Sequence, residues 1–298
     1  MTRCFYSGTQ AHPIYVDHLP PSQARDDRLP IIMLHGAFHT GSGFIATPDG
    51  RDGWAPYFAQ RGHRVFVVDW PGHGRSPARP DFHTLSIRDI VPSIALLVEH
   101  VGRSIIMAHS AGGPIAWAIS ENLPDKVAAV VGIAPGPPAN IQSALPDDRV
   151  AIEALKFDEA SGCPVYSPLD APVHVDIPFI RDFWANSARF PQAGFEAYAK
   201  SIVAESPTVL NERFNIGRGG IMLAEPDVVA KRPILIVTGD SDPRHAREVD
   251  RKLADYLKGQ HLWLADRGSQ GNGHMLMLEE NSDEIASLIA DWLNANGL

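Results

Sequence analysis

The chain of 298 residues is long enough for one large domain, or for one core that carries a substantial insertion. Its composition, with 44% hydrophobic and 20% charged residues, is that of an ordinary globular protein. The formal net charge is -9 and no basic run occurs, which argues against nucleic acid and anionic membranes as partners. No apolar run reaches the ~18 residues of a membrane span, so no membrane partner is predicted.

The N-terminus and the cysteines indicate the cellular location. The first residues lack the apolar core of a signal peptide, which favours a cytoplasmic location. The two cysteines, Cys4 and Cys163, are far apart and form neither a metal-binding spacing nor a disulfide framework.

Short apolar runs alternate with helix-length amphipathic segments, which is the pattern of a mostly parallel sheet flanked by helices, an α/β fold. In chain order, an edge hairpin is predicted from Thr2–Ser7 and Ile14–His18. Further strands are predicted at Ile31–Leu34, Val65–Asp69, Ser104–Ala108, Val127–Ile133, Pro233–Thr238 and His261–Ala265. Helices are predicted at Gly53–Arg61, Leu85–His100, Gly112–Asn122, Ala246–Leu257 and Glu279–Asn296.

The alternation stops between about Gly136 and Arg232, where prolines and aromatic residues are frequent. Two segments in this region, Ile177–Ala188 and Gln192–Ala204, have a helical pattern. A loop of this length without secondary structure is uncommon inside a compact domain. We therefore predict a core of residues 1–136 and 233–298 and an inserted helical cap, or lid, of residues 137–232.

The strongest functional signal is Ile105–Gly113, in which a strand ends, Ser110 follows, and a helix begins after small residues. This is the order of the nucleophile elbow, G-x-S-x-G, with Ala108 in place of the first glycine. Small neighbours let the turn fit between strand and helix, and the helix dipole favours negative charge at its start. Ser110 is therefore the predicted nucleophile, and the alternative is an ordinary serine in a tight turn.

A serine needs a positioned base to act as a nucleophile at neutral pH. His274 follows the last predicted strand and precedes the final helix, which is where the chain order Ser, acid, His places the base. We interpret His73 as a loop residue and His245 as a helix-start residue. His109 adjoins the serine but is expected to point away from the pocket, so it is not the predicted base, and it is nevertheless kept among the pocket candidates.

The acid that orients the imidazole should follow a late strand, as the run Gly239-Asp240-Ser241-Asp242-Pro243 does. Asp242 is favoured and Asp240 is the fallback, and the alternative is that either carboxylate only caps the next helix. The tetrahedral intermediate also needs two positioned hydrogen-bond donors, the oxyanion hole. The predicted donors are the backbone N–H groups of Ala37, after the first long strand, and Ala111, beside the serine.

Motifs of other enzyme classes are missing from the sequence. It has no phosphate-binding Walker loop, no G-x-G-x-x-G after a strand, and no H-E-x-x-H or cysteine cluster for a metal. We therefore predict neither a cofactor nor a metal site.

These residues resemble the α/β-hydrolase superfamily, as serine esterases, over nearly the whole chain outside the cap. A narrower resemblance is to a small group of bacterial esterases. It rests on four runs, His35-Gly36…His39-Thr40-Gly41, Thr47-Pro48-Asp49-Gly50-Arg51, Gly72-His73-Gly74-Arg75-Ser76 and Gly271-Asn272-Gly273-His274-Met275.

Two departures from this group matter. Its triad acid is a glutamate just after the strand that follows the nucleophile helix, and Ala134 stands at that place here, which supports Asp242 as the acid. The group also has paired cysteines after His-Gly, where this chain has Ala37 and Phe38. The substrate of the group is therefore not transferred to this chain.

Together these features predict a hydrolase that cleaves a small carboxylic ester or lactone, with Ser110, His274 and Asp242 as its catalytic triad. The aromatic residues of the cap predict an apolar pocket for a hydrophobic or aromatic group of the substrate. The pocket candidates are Phe38, His109, Phe183, Trp184 and Met275.

Other functions stay open at this point. A C–C bond hydrolase or a lyase would use the same fold, and a non-catalytic ligand receptor is a further alternative. The apolar residues of the cap are equally suited to a homodimer contact.

Overall fold

Eight strands form one sheet in the computed structural model, which describes residues 2–23, 25, 27–154 and 166–298. The strands are β1 (Arg3–Gly8), β2 (Pro13–Leu19), β3 (Ile31–Leu34), β4 (Val65–Asp69), β5 (Ser104–His109), β6 (Val127–Ile133), β7 (Ile234–Thr238) and β8 (Gln260–Trp263). Their order is β1-β2-β4-β3-β5-β6-β7-β8. β2 runs antiparallel to both of its neighbours, and all other pairs are parallel.

The central strands are buried on both faces, so they are apolar at nearly every position. Successive side chains point to opposite faces of a strand, which divides the core into two layers. Val67 and Val131 belong to one layer, whereas Val68 and Val130 belong to the other.

The described helices lie between and after these strands. They are α1 (Ser42–Ile45), α2 (Trp54–Gln60), α3 (Ile87–Val101), α4 (Gly112–Asn122), α5 (Arg149–Glu153), α6 (Ile177–Phe183), α7 (Phe195–Ser201), α8 (Pro207–Arg213), α9 (Pro226–Val229), α10 (Arg247–Tyr256) and α11 (Ser282–Ala295). The apolar sides of α2 and α11 belong to one core layer, and those of α3, α4 and α10 belong to the other. No described helix is long and apolar enough to span a membrane.

The predicted α/β fold, its edge hairpin and its core helices are confirmed, with most bounds shifted by one or two residues. The predicted strand His261–Ala265 is wrong in its second half, because the chain leaves the sheet edge after Trp263 and forms a 3-10 turn at Leu264–Arg267. The closing helix begins at Ser282 rather than Glu279, since the residues before it form a turn in which Ser282 N–H bonds to the Glu279 carbonyl.

Between β6 and β7 the described residues include the short helices α5 to α9. The predicted helix Ile177–Ala188 ends at Phe183, and Gln192–Ala204 is a 3-10 turn followed by α7. Helices α8 and α9 were not predicted, although each begins with a proline, which is favoured in the first turn of a helix. Residues 155–165 of the predicted cap, including Cys163, lie outside the described residues. The division into core and cap stays a prediction.

Candidate active site

Ser110 occupies the turn between β5 and α4 with a backbone φ of 50°, in the left-handed region that a non-glycine residue rarely adopts. Its N–H donates to the Ile133 carbonyl at 3.0 Å. Its carbonyl accepts from the N–H groups of Gly113 at 2.9 Å and Gly136 at 2.7 Å. These three bonds hold the strained turn that the sequence motif predicts, as strain persists only where the surroundings fix it.

The turn needs small neighbours. A Cβ atom added to Gly36 would lie 2.8 Å from the Cβ of Ser110, and one added to Gly112 would lie 2.9 Å from the His35 carbonyl oxygen. Ala108, which departs from the motif, is fully buried on β5 and tolerated there. Its partners on the adjacent strands are Leu34 and Gly132.

The structure brings Ser110, His274 and Asp242 into one hydrogen-bonded chain. Nε2 of His274 lies 3.0 Å from Oγ of Ser110, and Nδ1 of His274 lies 2.6 Å from Oδ2 of Asp242. The other carboxylate oxygen of Asp242 accepts from the N–H of Arg244 at 3.0 Å. All three side chains of the chain are buried. This is the arrangement in which an imidazole can take a proton from a serine hydroxyl while a carboxylate fixes its orientation.

Asp240 and Ala134 do not supply the acid in this geometry. The exposed Asp240 accepts from the N–H groups of Gly271 at 2.8 Å and Asn272 at 3.2 Å, so it holds the loop that leads to His274. Ala134 is fully buried after β6 and carries no carboxylate. The carboxylate that contacts His274 therefore comes from the turn after β7.

Electrostatics favour a neutral His274 beside an ionised Asp242. Burial is the largest cause that lowers the pKa of His274, and together with the charges of His245 and Arg244 it outweighs the neighbouring Asp242 carboxylate, which raises that pKa. Burial alone would raise the pKa of Asp242, but the charges of His274 and His245 and the hydrogen bond from His274 hold that pKa below its ordinary range. A general base must be unprotonated before it acts, so these shifts suit the role predicted for His274.

Ala37 and Ala111, the predicted oxyanion donors, lie in the loop after β3 and at the start of α4. Neither backbone N–H donates to an acceptor within the described parts of the chain. Both groups are thus available to a ligand, which is the condition for an oxyanion hole.

A cavity of about 270 Å³ is lined largely by apolar side chains, with Phe38 in its wall. Of the other pocket candidates, Trp184 packs against Phe38 with ring centroids 5.5 Å apart, and Phe183 lies 4.8 Å from Phe179, which lines the cavity. His109 and Met275 are not among the residues that line this cavity.

The His109 side chain packs against His274. One ring nitrogen, Nε2, lies 3.1 Å from the His274 carbonyl oxygen, and the two rings are 4.7 Å apart. We predicted His109 as a pocket residue, and that role stays a prediction.

Sequence reasoning missed Glu279, which anchors the loop before His274. This buried carboxylate accepts from the Gly273 N–H at 2.6 Å, from Nδ2 of Asn272 at 2.5 Å, and from the Ser187 hydroxyl. Burial raises the pKa of Glu279, against these hydrogen bonds. The residue was assigned to the closing helix, and the only signal for another role was its place shortly after the Gly-Asn-Gly run.

His73 and Glu205 form a second missed element, beside the predicted oxyanion loop. Nε2 of His73 lies 3.0 Å from Oε2 of Glu205, and both side chains are fully buried. The same carboxylate oxygen accepts from the backbone N–H of Phe38 at 3.1 Å. His73 lies in the loop after β4, as predicted, and it also forms a buried hydrogen bond with the Glu205 carboxylate there.

Within the described residues, one group of side chains offers closely spaced metal ligands, namely Asp242, His245 and His274, whose ligand atoms lie within 4.8 Å of one another. The Asp242 and His274 atoms are only 2.6 Å apart. Two ligands of one tetrahedral zinc ion would be ~3.3 Å apart, given metal–ligand distances near ~2.0 Å. The spacing is that of a hydrogen bond, so the group does not have the geometry of a metal site.

The comparison with known proteins identifies the family. A model of the alpha/beta hydrolase fold matches residues 30–281, and the chain therefore belongs to the α/β-hydrolase family, as its resemblance to that family predicted. A fungal protein named as a probable secreted lipase is 24% identical over 98% of this chain and 89% of its own length.

Solved structures agree on the fold. A structure described as a novel bacterial esterase has a TM-score of 0.62 at 18% identity and covers 100% of this chain and 96% of that chain. An esterase from Rhodococcus sp. ECU1013 has a TM-score of 0.65 at 15% identity, with 99% of both chains covered. At such identities these structures show the fold alone.

Proposed function

We propose that the protein is a serine hydrolase that cleaves a small, hydrophobic or aromatic carboxylic ester or lactone through an acyl-enzyme. The observation that carries this proposal is the hydrogen-bonded chain from Oγ of Ser110 through His274 to Asp242. The coarser class, a hydrolase of the esterase or lipase type, is supported by the family and by the names of its relatives.

In the proposed mechanism, Oγ of Ser110 attacks the carbonyl carbon while Nε2 of His274 accepts its proton. The N–H groups of Ala37 and Ala111 donate to the oxygen that becomes negative. His274 then protonates the leaving alkoxide, and the alcohol departs. A water molecule attacks the acyl-enzyme with His274 again as base, which releases the acid and restores Ser110. Asp242 keeps Nδ1–H of His274 in place throughout.

The cavity supports an apolar substrate group. Its wall contains the apolar side chains of Phe38, Val173, Val175, Phe179, Leu210 and Phe214 and the polar side chains of Ser167, His174 and Asp176, whereas Ser110 and His274 are not part of it. The guanidinium of Arg244 also lines it and lies 5.2 Å from the centre of the Phe179 ring. Phe38 directly follows Ala37, and Arg244 lies two residues after Asp242, so the segments that build the catalytic groups also build this cavity. Such apolar walls with few polar groups are typical of small-molecule sites.

The predicted cap of residues 137–232, a cytoplasmic location and a homodimer stay parts of this proposal that need their own tests. Limited proteolysis, cell fractionation and sedimentation would address them in turn.

The direct test is hydrolysis of p-nitrophenyl esters of increasing acyl length, and of simple lactones, by the wild type and Ser110→Ala. Ser143→Ala, which changes an exposed serine, is the matched control. We expect activity in the wild type and the control, and its loss in Ser110→Ala at an unchanged circular dichroism spectrum. A fluorophosphonate probe should label Ser110 in the wild type.

The negative outcomes separate the rival functions. Labelling of Ser110 without turnover of any ester or lactone would favour a C–C bond hydrolase or a lyase. The absence of both labelling and turnover would favour a ligand receptor.

A further inference from the structure

A second imidazole–carboxylate pair lies beside the predicted triad. His245 and Asp250 are both buried, and Nδ1 of His245 lies 2.9 Å from Oδ1 and 3.1 Å from Oδ2 of Asp250. The hydroxyl of Thr238, at the end of β7, donates to Oδ2 of Asp250 at 2.6 Å. Asp250 is thus fixed from β7 and in turn fixes the His245 ring.

The His245 ring is stacked on the predicted catalytic base. Its centroid lies 5.4 Å from that of His274, and the two planes differ by 27°. A ring nitrogen of His245 lies within 4.8 Å of a carboxylate oxygen of Asp242 and a ring nitrogen of His274. Nε2 of His245 is buried and has no hydrogen-bond partner among the described residues, so Asp250 alone orients the ring.

The charges around His245 favour its protonated form. Burial and the guanidinium of Arg213, on α8, lower its pKa, but the carboxylates of Asp250 and Asp242 raise it more, so that the pKa lies above its ordinary value. The stacked His274 has a lowered pKa, because burial and the charges of His245 and Arg244 lower it more than the Asp242 carboxylate raises it. Two buried carboxylates therefore lie close to His245 and favour a positive charge on its ring.

We propose that His245 and Asp250 are positioning residues of the predicted triad, in which Asp250 holds an imidazolium at His245 that keeps the Asp242 carboxylate ionised and His274 neutral. This inference rests on the proposed function of Ser110, His274 and Asp242. The positive charge acts in two directions, since it stabilises the anion at Asp242 and opposes protonation of His274.

The test is the pH dependence of kcat/KM in Asp250→Asn. The amide oxygen can still accept from Nδ1 of His245, but the counter-charge is lost and His245 becomes neutral near pH 7. With the nearby cation removed, His274 takes up a proton more readily. We expect the acid limb of the profile to move to higher pH by roughly half a unit to one unit, so that kcat/KM at pH 7 falls about two- to threefold while its plateau at higher pH is kept. Asp250→Glu should restore part of the wild-type position of the acid limb and part of the activity at pH 7.

Asp266→Asn is the matched control. Asp266 is an exposed carboxylate that pairs with Arg247, and Arg247 lies on the same helix as Asp250. Its replacement removes one charge without touching the buried pair of His245 and Asp250. We expect its profile to coincide with that of the wild type. A reduced kcat in Asp250→Asn with an unmoved acid limb would indicate a purely structural role and overturn the proposal, as would a profile equal to the wild type.

An NMR titration of the His274 ring in the unliganded protein separates this inference from the proposed function. The titration reports the change in the pKa of His274 in Asp250→Asn even if no ester is hydrolysed. The proposed hydrolase function is tested separately, by ester turnover. Should Asp250→Asn fail to fold, His245→Gln removes the same cation and should raise the pKa of His274 in the same titration. An unchanged His274 titration in the variant that folds would refute the inference.

Discussion

The backbone N–H of Phe38 donates to Oε2 of Glu205 at 3.1 Å, although 167 positions separate the two residues in the chain. The carbonyl of Phe38 accepts from the N–H of Val203 at 3.0 Å. Phe38 has a φ of 65°, which is strained for an aromatic residue. The short segment before α8 therefore fixes both polar groups of the residue that follows Ala37, the predicted oxyanion donor.

This relationship predicts that Glu205→Gln lowers kcat. One oxygen of Glu205 accepts from Phe38 and His73, and the other accepts from its neighbour Ser206, so an amide NH₂ must oppose at least one donor. The oxyanion loop should then lose its fixed position. We expect kcat for a p-nitrophenyl ester to fall about 10- to 100-fold with little change in KM. Complete loss of one oxyanion donor raises the activation free energy by ~2.7–4 kcal/mol, and a misplaced donor should cost less than that.

Glu212→Gln is the control for this change. Glu212 is a carboxylate on α8 that accepts from the Ile87 N–H at 2.6 Å, remote in sequence and bonding from Phe38. It should lower stability in urea without the loss in kcat. An equal loss of kcat in both variants would mean that Glu205 acts only through general stability.

The two aspartates after β7 should differ sharply in activity. Asp242→Asn removes the charge that stabilises the imidazolium and the acceptor that selects its tautomer, and we expect kcat to fall ~10³- to 10⁴-fold. Asp240→Asn weakens the hydrogen bonds that hold the loop at Gly271, and we expect kcat to fall less than about 10-fold. Steady-state kinetics of both variants on one ester measure these losses. A larger loss of kcat in Asp240→Asn than in Asp242→Asn would make Asp240 the acid.

The sequence predicted the parts of the site that local patterns encode. Ser110 lies in a strand–turn–helix segment, and His274 and Asp242 each follow a strand that an apolar run reveals. The choice between Asp240 and Asp242 needed coordinates, because both residues occupy the same turn and only side-chain direction separates them.

Buried polar pairs between distant segments were not predictable in the same way. His73 and Glu205 are 132 positions apart, and neither belongs to a periodic pattern that would place it. Glu279 was assigned to a helix because its sequence neighbours have helical spacing, whereas its carboxylate bonds back to the loop at Gly273. Such contacts depend on the packing of whole elements, which a single sequence does not specify.

Two glycine positions test the close packing at the serine. Gly36→Ala would bring a Cβ within 2.8 Å of both Ser110 Cβ and His109 Nδ1, so the elbow or the oxyanion loop must shift. We expect esterase activity to fall more than ~100-fold, because small displacements of catalytic groups are costly. Gly43→Ala is the control, since its nearest neighbour would be Leu278 Cδ2 at 3.7 Å. Wild-type activity in Gly36→Ala would show that the oxyanion loop can move to accommodate the added methyl group without loss of function.

The pH dependence of the wild type follows from the state of His274. A general base acts only when it is unprotonated, so activity is lost as the pH falls through its pKa. Burial, together with the charges of His245 and Arg244, lowers that pKa below the ordinary value of 6.5, more than Asp242 raises it. We therefore expect kcat/KM on a p-nitrophenyl ester to reach half its plateau below pH 6.5, measured at constant ionic strength. His100→Gln, which changes an exposed histidine on α3, should leave this midpoint in place. A midpoint above 6.5 in the wild type would mean that Asp242 outweighs burial and that the imidazolium is the favoured form of the resting site.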